Sequence, residues 1–308
     1  MLELSNNSAS IARSCWMKFK FNYVDAYRPL KKDRALTLGE VVHNAFDAFY
    51  LNVPHNDILH SISTKYDASI KLCTPEEKED LVVDKYTALG MFEFYPIDLS
   101  AFQKIETEVE FKVPLSHGIR LVGRVDGDVL QNNNFWIREL KTTSTPIKQF
   151  KARADVSYQV SGYKFAMEYL KHQTYQGVMF DVIRKPRLYK RVDDNAESFG
   201  KRIYMDYSAT KFDQSKRTSY YDRHYSYRNL YQMECFKADM IKIAKEIKRR
   251  KRHNDWLRNP DACYLYNRMC EYAPVCWKKD VPKDVIDSLY TVKGAKPVEV
   301  EIPVEELE

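Results

Sequence analysis

Residues 119–143 read IRLVGRVDGDVLQNNNFWIRELKTT, and their pattern is the main basis for predicting the fold. Its two apolar-rich runs predict neighbouring strands, the first carrying Asp126 and the second ending on Glu139-Leu140-Lys141. Side chains two residues apart on a strand share a face, so Glu139 and Lys141 point the same way while Leu140 points into the sheet. Carboxylates from adjacent strands suit a hard cation such as Mg²⁺, and a neighbouring ammonium suits the charge that builds on a phosphate. The stretch therefore predicts a metal-and-phosphate site, although so short a pattern also arises by chance on charged strands.

Two predicted helices carry further candidates. Apolar residues at helical spacing predict a helix over 155–171 with Asp155 as its N-cap, and they place Gln159 and Tyr163 one turn apart on it. These two side chains either face the strands or merely edge the buried stripe of the helix. The other helix carries His43 at the polar border of its apolar face, where a histidine is either a structural hydrogen-bonding residue or a metal ligand.

The order of the predicted elements indicates an α/β protein. Helices are expected near 8–22, 37–51, 55–72, 75–95, 155–171 and 226–254. Strands are expected near 103–114, 119–130, 135–141, 175–184 and 201–208. A strand meander followed by a helix and a further strand favours a mixed central sheet flanked by helices.

The motifs resemble one nuclease family in both order and local sequence. The matching stretches are SASIARSCWMKFKFNYV (8–24), LGEVVHNAF (38–46), LVGRVDGDV (121–129), IRELKTT (137–143) and YQVSGYKFA (158–166), followed by a cysteine-bearing tail. They resemble the RecB-like branch of the PD-(D/E)XK nuclease superfamily, including CRISPR-associated and phage exonucleases with a four-cysteine iron–sulfur cluster. The resemblance covers about residues 5–280 and implies a restriction-endonuclease-like core.

The resemblance also implies a role for each motif residue. It implies that Mg²⁺ or Mn²⁺ is bound by Asp126, Glu139, the backbone carbonyl of Leu140 and, as an additional ligand, His43. Lys141 would be the catalytic lysine, and Gln159 and Tyr163 would orient it and contact DNA. The implied activity is that of a metal-dependent deoxyribonuclease, with exonuclease action on single-stranded ends the favoured mode, in recombination, repair or spacer processing. Two alternatives stay open: a non-catalytic DNA-binding or scaffold subunit, and a structure-specific or nicking endonuclease.

Three of the six cysteines crowd near the end of the chain, as Cys263-x6-Cys270-x5-Cys276, and Cys15 lies near the start. By spacing alone they are reduced free thiols, ligands of a four-iron four-sulfur cluster, or zinc ligands, although neither interval has the usual C-x2–4-C form of a zinc knuckle. The resemblance implies the iron–sulfur cluster, because related nucleases place one cysteine before the His motif and three after the core. Many relatives have C-x2-C-x5-C in the tail, so the longer first interval here is a departure from that pattern.

Basic and aromatic residues predict contacts with nucleic acid. Residues 237–253 contain eight Lys or Arg against two acids, which indicates either a phosphate-binding stripe or a solvated helix face. Seven tyrosines lie between Tyr204 and Tyr231 among basic residues, a composition that suits stacking on single-stranded bases as well as ordinary core packing. The candidate DNA contacts are Gln159, Tyr163, Lys185, Arg187, Tyr221 and Tyr225.

Composition and length bound the remaining expectations. With 308 residues, 44% of them hydrophobic, and a net charge of +6, the chain can bury a substantial core. We expect one compact unit with a helical N-terminal region (1–100), a nuclease core (101–210), a basic, aromatic and cluster-binding region (211–280) and an acidic tail (281–308). No apolar run reaches the length of a membrane span and MLELSNNSAS lacks signal-peptide features, so a cytoplasmic location in a bacterial or phage-infected cell is expected. No P-loop is found, so any unwinding must come from a partner. The expected partners are DNA with single-stranded or duplex ends and a helicase, a recombinase or a single-strand-binding protein.

Overall fold

The computed structural model describes residues 1–30, 34–96, 102–265 and 268–293, so most of the predicted acidic tail lies outside the described residues. The helices are α1 (Asn6–Ser14), α2 (Trp16–Phe19), α3 (Arg34–Tyr50), α4 (His55–Leu72), α5 (Pro75–Glu93), α6 (Ile147–Ala154), α7 (Tyr158–Lys171), α8 (Ala196–Ser208), α9 (Gln214–Tyr220), α10 (Leu230–His253), α11 (Ala273–Cys276) and α12 (Lys283–Leu289). The strands are β1 (Leu2–Leu4), β2 (Tyr27–Pro29), β3 (Phe102–Ser116), β4 (Ile119–Gln131), β5 (Asn134–Thr143), β6 (Tyr175–Arg184), β7 (Tyr221–Tyr227), β8 (Tyr264–Leu265), β9 (Arg268–Met269) and β10 (Tyr290–Val292).

The chain divides into two compact units, one formed by Met1–Asn6 with Asp33–Ala244 and the other by Asn7–Lys32 with Lys245–Glu308. The larger unit is built on a six-stranded mixed sheet. Strand β4 pairs in parallel with β1 and antiparallel with β3 and β5, while β6 pairs in parallel with β5 and antiparallel with β7. The sheet contains both antiparallel and parallel pairs because its connections differ. A short hairpin joins β4 to β5, which makes that pair antiparallel, whereas helices α6 and α7 lie between β5 and β6 and allow a parallel pair.

Helices cover both faces of this sheet. Leu140 and Ile183 on one face pack into a core that α3, α4, α5 and α8 supply, with Phe46, Met91 and Tyr207 among its fully buried side chains. Glu139 is adjacent to Leu140 on β5 and therefore points to the opposite face, where α7 lies. There Phe111 of β3 meets Tyr163 of α7 edge-on, with ring centroids 6.0 Å apart.

The β4–β5 hairpin sets the register on which the site depends. Gln131 pairs with Asn134, and the two residues between them, Asn132 and Asn133, both have positive φ (50° and 58°). Two left-handed residues are what a type I′ turn requires, and asparagine tolerates that conformation better than most residues. The register then runs to Gly127 opposite Arg138, and a slip of one residue would move every side chain to the other face.

Two predictions about secondary structure are wrong. Residues 201–208, predicted as a strand, lie in helix α8, whose buried residues Gly200, Ile203 and Tyr207 recur at helical spacing. The strand that follows β6 in the sheet is instead β7 (Tyr221–Tyr227). The N-cap prediction for Asp155 is also wrong, because Ser157 caps α7 by accepting from the amide of Gln159, while Asp155 ends the preceding helix α6.

The smaller unit joins segments from the two ends of the sequence. Strand β2 pairs antiparallel with β10, and the rings of Phe21, Tyr27, Tyr272 and Tyr290 stack beside that pair. The Asn259 side chain donates to the Ser14 carbonyl at 2.8 Å, which ties the end of α1 to the C-terminal segment. In the described parts of the chain, no helix is both long and apolar enough to cross a membrane.

Candidate active site

Asp126 occupies the point at which strands β4 and β5 separate. The ladder between them ends at Gly127 and Arg138, although both strands continue beyond that pair. Past it, the backbone amide of Leu140 donates to Oδ2 of Asp126 at 2.8 Å, so a carboxylate takes the place of a ladder carbonyl. Nδ1 of His43, on α3, lies 3.3 Å from the same oxygen. The structure thus brings His43 and Asp126 together, as the motif order predicts.

Glu139, Lys141, Gln159 and Tyr163 form one hydrogen-bonded group. Lys141 Nζ donates to Glu139 Oε1 at 2.5 Å, and Gln159 Nε2 donates to the same oxygen at 2.7 Å. The Gln159 amide also donates to the Tyr163 hydroxyl at 2.8 Å. Gln159 and Tyr163 therefore face the strands, and their predicted roles toward the lysine and DNA stay predictions. Gln159 of α7 thus contacts Glu139 of the sheet and Tyr163 of its own helix, and its bond to Glu139 fixes the distance between α7 and β5.

The electrostatics of the site favour an ionised Asp126 and a protonated Lys141. Burial alone would raise the pKa of Asp126, but the hydrogen bond with His43 and the charge of Lys141 hold that pKa below its ordinary value. Burial, together with the charge of Asp126, raises the pKa of Glu139 despite the opposing effect of Lys141. Burial acts to lower the pKa of Lys141, yet the Glu139 carboxylate outweighs it and raises that pKa. Lys141 is therefore an ammonium at neutral pH and cannot serve as a general base.

Glu139 supplies the best test of whether a metal ion fits this site. Its side chain is only 3% exposed, and among the described residues its second oxygen, Oε2, has no hydrogen-bond partner. An unpaired buried carboxylate oxygen is costly unless a cation or an ordered water satisfies it. Hard oxygen donors are what Mg²⁺ and Mn²⁺ prefer, so Glu139 and Asp126 have the right chemistry. Within the described residues, however, no three His, Cys, Asp or Glu side chains are already gathered as a metal-binding group.

Leu140 contacts Asp126 through its backbone amide. The amide donates to Asp126, and the buried side chain lies in the core on the opposite face of the sheet. The predicted role of the Leu140 carbonyl as a metal ligand stays a prediction.

Behind the site, a buried ion network ties three strands together. Asp181 of β6 is fully buried and accepts from Arg223 of β7 and from the Tyr95 hydroxyl, each at 2.8 Å. Arg138 of β5 is also fully buried, with Nε 3.5 Å from Asp181 and its guanidinium 3.8 Å from the Tyr50 ring centroid. Because Arg138 precedes Glu139, this network fixes the segment of β5 that presents the catalytic candidates.

A cavity of about 250 Å³ opens beside Lys141 and Gln159. Its other lining residues come from the end of β5 and from the α6–α7 region: Thr143, Thr145, Phe150, Arg153, Ala154, Ser157 and, from β6, Phe180. No element is predicted for residues 144–154, so the contribution of α6 to this cavity is not expected from the sequence. The signal was present in PIKQFKARA, where Phe150 and Arg153 are three residues apart and so share a face of a short helix.

The predicted DNA-contact residues differ in accessibility. Arg187 is exposed and Lys185 is half-buried. Tyr221 is only 4% exposed and its hydroxyl meets the Gly90 carbonyl, so its prediction as a stacking residue is wrong: the ring belongs to the core. Tyr225 is half-buried and packs edge-on against Trp136, with centroids 4.8 Å apart, and its role stays a prediction. Of the seven tyrosines, Tyr227 and Tyr231 are the most exposed, at 59% and 73%.

The predicted basic stretch lies in helix α10, as expected for a long helix. Part of its charge is structural: Arg249 pairs with Glu246 and Asp255, and Arg250 is mostly buried with its guanidinium over the Trp16 ring. The remaining basic residues of the stretch keep the prediction of a phosphate-binding face.

The four predicted cluster cysteines all lie in the smaller unit, and none forms a disulfide. Burial raises the pKa of Cys276, and the neighbouring Cys15 and Cys263 thiols raise it further. Burial likewise raises the pKa of Cys270, which is also near Cys263 and whose amide donates to the Cys263 carbonyl at 2.7 Å. The hydrogen bond from Asn259 to the Ser14 carbonyl brings the segment of Cys15 beside that of Cys263, although no three of the described thiols are close enough together to form a metal-binding group.

An acidic residue lies where two strands separate, a Glu-x-Lys follows on the next strand, and a Gln–Tyr pair reaches them from the helix above. The chain belongs to the PD-(D/E)XK nuclease superfamily, whose family model matches residues 3–277. The mixed sheet flanked by helices is accordingly the restriction-endonuclease-like fold that was predicted, and this prediction is confirmed.

Comparison with solved structures finds the crystal structure of a protein from Eubacterium rectale named "Putative exonuclease". The two share 10% sequence identity, with a TM-score of 0.49, over 93% of this chain and 92% of that one. Comparison with curated proteins finds no match. Family membership supports nuclease activity.

Proposed function

We propose that this protein is a metal-dependent DNA exonuclease that hydrolyses phosphodiester bonds at single-stranded ends. One observation carries the proposal: a buried Glu139 with an unpaired oxygen is joined to the Lys141 ammonium beside the Asp126–His43 pair. The side chains of Asp126 and Glu139 are only 15% and 3% exposed, and two buried carboxylates beside a lysine are more typical of a functional site than of an ordinary strand surface. The RecB-like motif order belongs to the same proposal, as do roles in recombination, repair or spacer processing and a cytoplasmic location.

Asp126 and Glu139 would hold Mg²⁺ or Mn²⁺, with His43 as an additional ligand. When bound, such an ion lowers the pKa of a water ligand and offsets charge on the scissile phosphate. His43 and the Leu140 amide orient the Asp126 carboxylate, because both contact its Oδ2 atom. Gln159 orients Glu139 by donating to its Oε1 atom, and Oε2 has no hydrogen-bond partner among the described residues.

Lys141 supplies the positive charge. Its pKa is raised, so it stays protonated and acts by donating hydrogen bonds to the attacking water or to a phosphate oxygen. To do so, its ammonium must share or exchange its contact with Glu139, which lies on the same face of β5 two residues away.

An end-labelled single-stranded DNA digest tests the assignment. The parent should release nucleotides with Mg²⁺ or Mn²⁺ and none with EDTA, whereas Glu139→Gln should be inactive and still bind DNA. Glu197→Gln is the matched control, since Glu197 is an exposed carboxylate on α8 that pairs with Lys201. Failure of the parent to cut any DNA with either ion would instead favour the non-catalytic DNA-binding or scaffold subunit.

A covalently closed single-stranded DNA circle as substrate distinguishes the proposed exonuclease from an endonuclease. An enzyme that needs an end leaves the circle intact, whereas a nicking or structure-specific endonuclease opens it. The same preparation, tested with and without a helicase, recombinase or single-strand-binding protein, shows whether a partner must supply the strand.

The proposal includes a four-iron four-sulfur cluster on Cys15, Cys263, Cys270 and Cys276, with zinc as the alternative. It is supported by the neighbouring positions of the four thiols within the smaller unit. Soft thiolates suit iron–sulfur clusters and zinc alike, so geometry alone does not choose between them. Protein purified without oxygen should be brown with about four irons per chain. Bound zinc without iron would refute the cluster.

A further inference from the structure

The cavity of about 250 Å³ beside the site contains a cation whose purpose the fold does not explain. Arg153, in the last turn of α6, lines the cavity and is exposed, and its guanidinium has no partner among the residues that the structure describes. Lys151, two residues earlier, is in contrast paired with Asp222. No Asp or Glu belongs to the described lining. The cavity is therefore an environment for an anion, and Lys141 is a second cation in its lining.

The remaining lining residues suit a nucleotide. Phe150 is three residues before Arg153 and shares its face of the helix, with its ring edge-on to Phe180 at 5.6 Å between centroids. Thr143 Oγ1 already accepts from the Thr145 amide at 2.9 Å, which leaves the Thr143 hydroxyl hydrogen free to donate outward. An aromatic face, a hydroxyl donor and a guanidinium are the groups that bind a base or sugar next to a phosphate.

We propose that this cavity is a subsite for the nucleotide flanking the scissile bond, with Arg153 binding that nucleotide's phosphate and Phe150 packing against its base or sugar. The inference rests on the proposed nuclease function and adds a substrate-binding residue to it. Lys141 and Gln159 belong both to the cavity and to the site, so the cleaved bond and the held nucleotide are adjacent. The phosphate is either an internal diester or the terminal monoester of a strand.

A scan of neutral linkages tests the assignment. A methylphosphonate replaces each phosphodiester in turn along a single-stranded oligonucleotide, and the cleavage of each is measured with the parent and with Arg153→Ala. On the native strand Arg153→Ala should lower kcat/KM by about 10- to 100-fold, as for a lost charge-assisted hydrogen bond. At one position the neutral linkage should lower kcat/KM of the parent by a similar factor. At that position it should leave kcat/KM of Arg153→Ala unchanged. Strands with and without a terminal phosphate, run in parallel, distinguish the monoester from the diester.

Lys148→Ala is the matched control, because Lys148 is an exposed cation on the same helix that does not line the cavity. It should cut at the parental rate, and Arg153→Lys should recover part of the loss, since a lysine keeps the charge and not the two-pronged contact. Arg153 has no described side-chain partner, so its alanine variant should melt at the parental temperature. The proposal is overturned if Arg153→Ala behaves like Lys148→Ala, or if its loss is the same on every neutral strand.

Binding of the same oligonucleotides in EDTA, followed by fluorescence anisotropy, separates failure of this subsite from failure of the nuclease assignment. If the parent cuts nothing, the nuclease assignment fails while coupling between Arg153 and one phosphate is still measurable as affinity. If the parent cuts DNA and neither cleavage nor binding shows coupling between Arg153 and one phosphate, the subsite proposal is refuted and the nuclease assignment stands.

Discussion

Lys141→Met removes the ammonium from the buried pair and nearly preserves the length of the side chain. Glu139 then keeps only the neutral Gln159 donor on Oε1, at 2.7 Å, and no described partner on Oε2. Unpairing a fully buried ion pair costs about 3–5 kcal/mol. The Lys141 side chain is 32% exposed, so water compensates in part, and we expect a loss of about 1–3 kcal/mol in the free energy of unfolding.

The loss should depend on pH. Burial already raises the pKa of Glu139 above its ordinary value, and without Lys141 it rises further. A carboxyl group with a raised folded pKa destabilises the protein increasingly as pH rises from the unfolded pKa to the folded one, and the cost is absent below both. The variant's deficit should therefore be smaller near pH 4 than near pH 8. Nuclease turnover should fall by about 100- to 1,000-fold, as when one charge-stabilising donor is lost.

Urea unfolding in EDTA at both pH values measures the change in the free energy of unfolding. Single-turnover cleavage measures the change in the rate of the nuclease reaction. Lys112→Met serves as the control, because Lys112 forms a pair with Glu3 in which both side chains are about half exposed. It should be unchanged in both assays. A Lys141→Met protein that cuts as fast as the parent would refute the catalytic role, and a deficit independent of pH would refute the electrostatic account of Glu139.

Three further predictions follow from other parts of the chain. Burial raises the pKa of Asp47 to about 6, so Asp47→Asn should be more stable than the parent by about 1–2 kcal/mol at pH 8, and equal to it below about pH 4, in urea unfolding. Arg228 donates to the carbonyls of Ala154 and Ser157 at 3.2 and 2.7 Å, so Arg228→Ala should cost about 2–3 kcal/mol in the same assay and lower kcat more than DNA affinity, with Arg228→Lys intermediate. Cys276→Ser should reduce the iron content and visible absorbance of protein purified without oxygen while leaving DNA cleavage measurable, because Cys276 lies in the smaller unit.

The candidate site was predictable largely because its determinants are local. Alternation in residues 119–143 predicted two strands and put Glu139 and Lys141 on one face, and the ion pair between them agrees. Helical spacing in α7 placed Gln159 above Tyr163, and their hydrogen bond agrees. The prediction for residues 201–208 failed because Ile203 and Tyr207 suit a strand as well as a helix by residue type, and burial in a core of other helices decided between them.

The motif residues, their order along the chain and the β4–β5 pair were predictable from the sequence, since each depends on the spacing of neighbouring residues. Three other features became known only from the folded structure: Tyr221 is a core ring, Arg153 lines a cavity that Lys141 also lines, and Cys15 lies near Cys276. These facts depend on which distant segments pack together. Burial and pairing of that kind are properties of three-dimensional neighbours, which residue spacing along one segment does not specify.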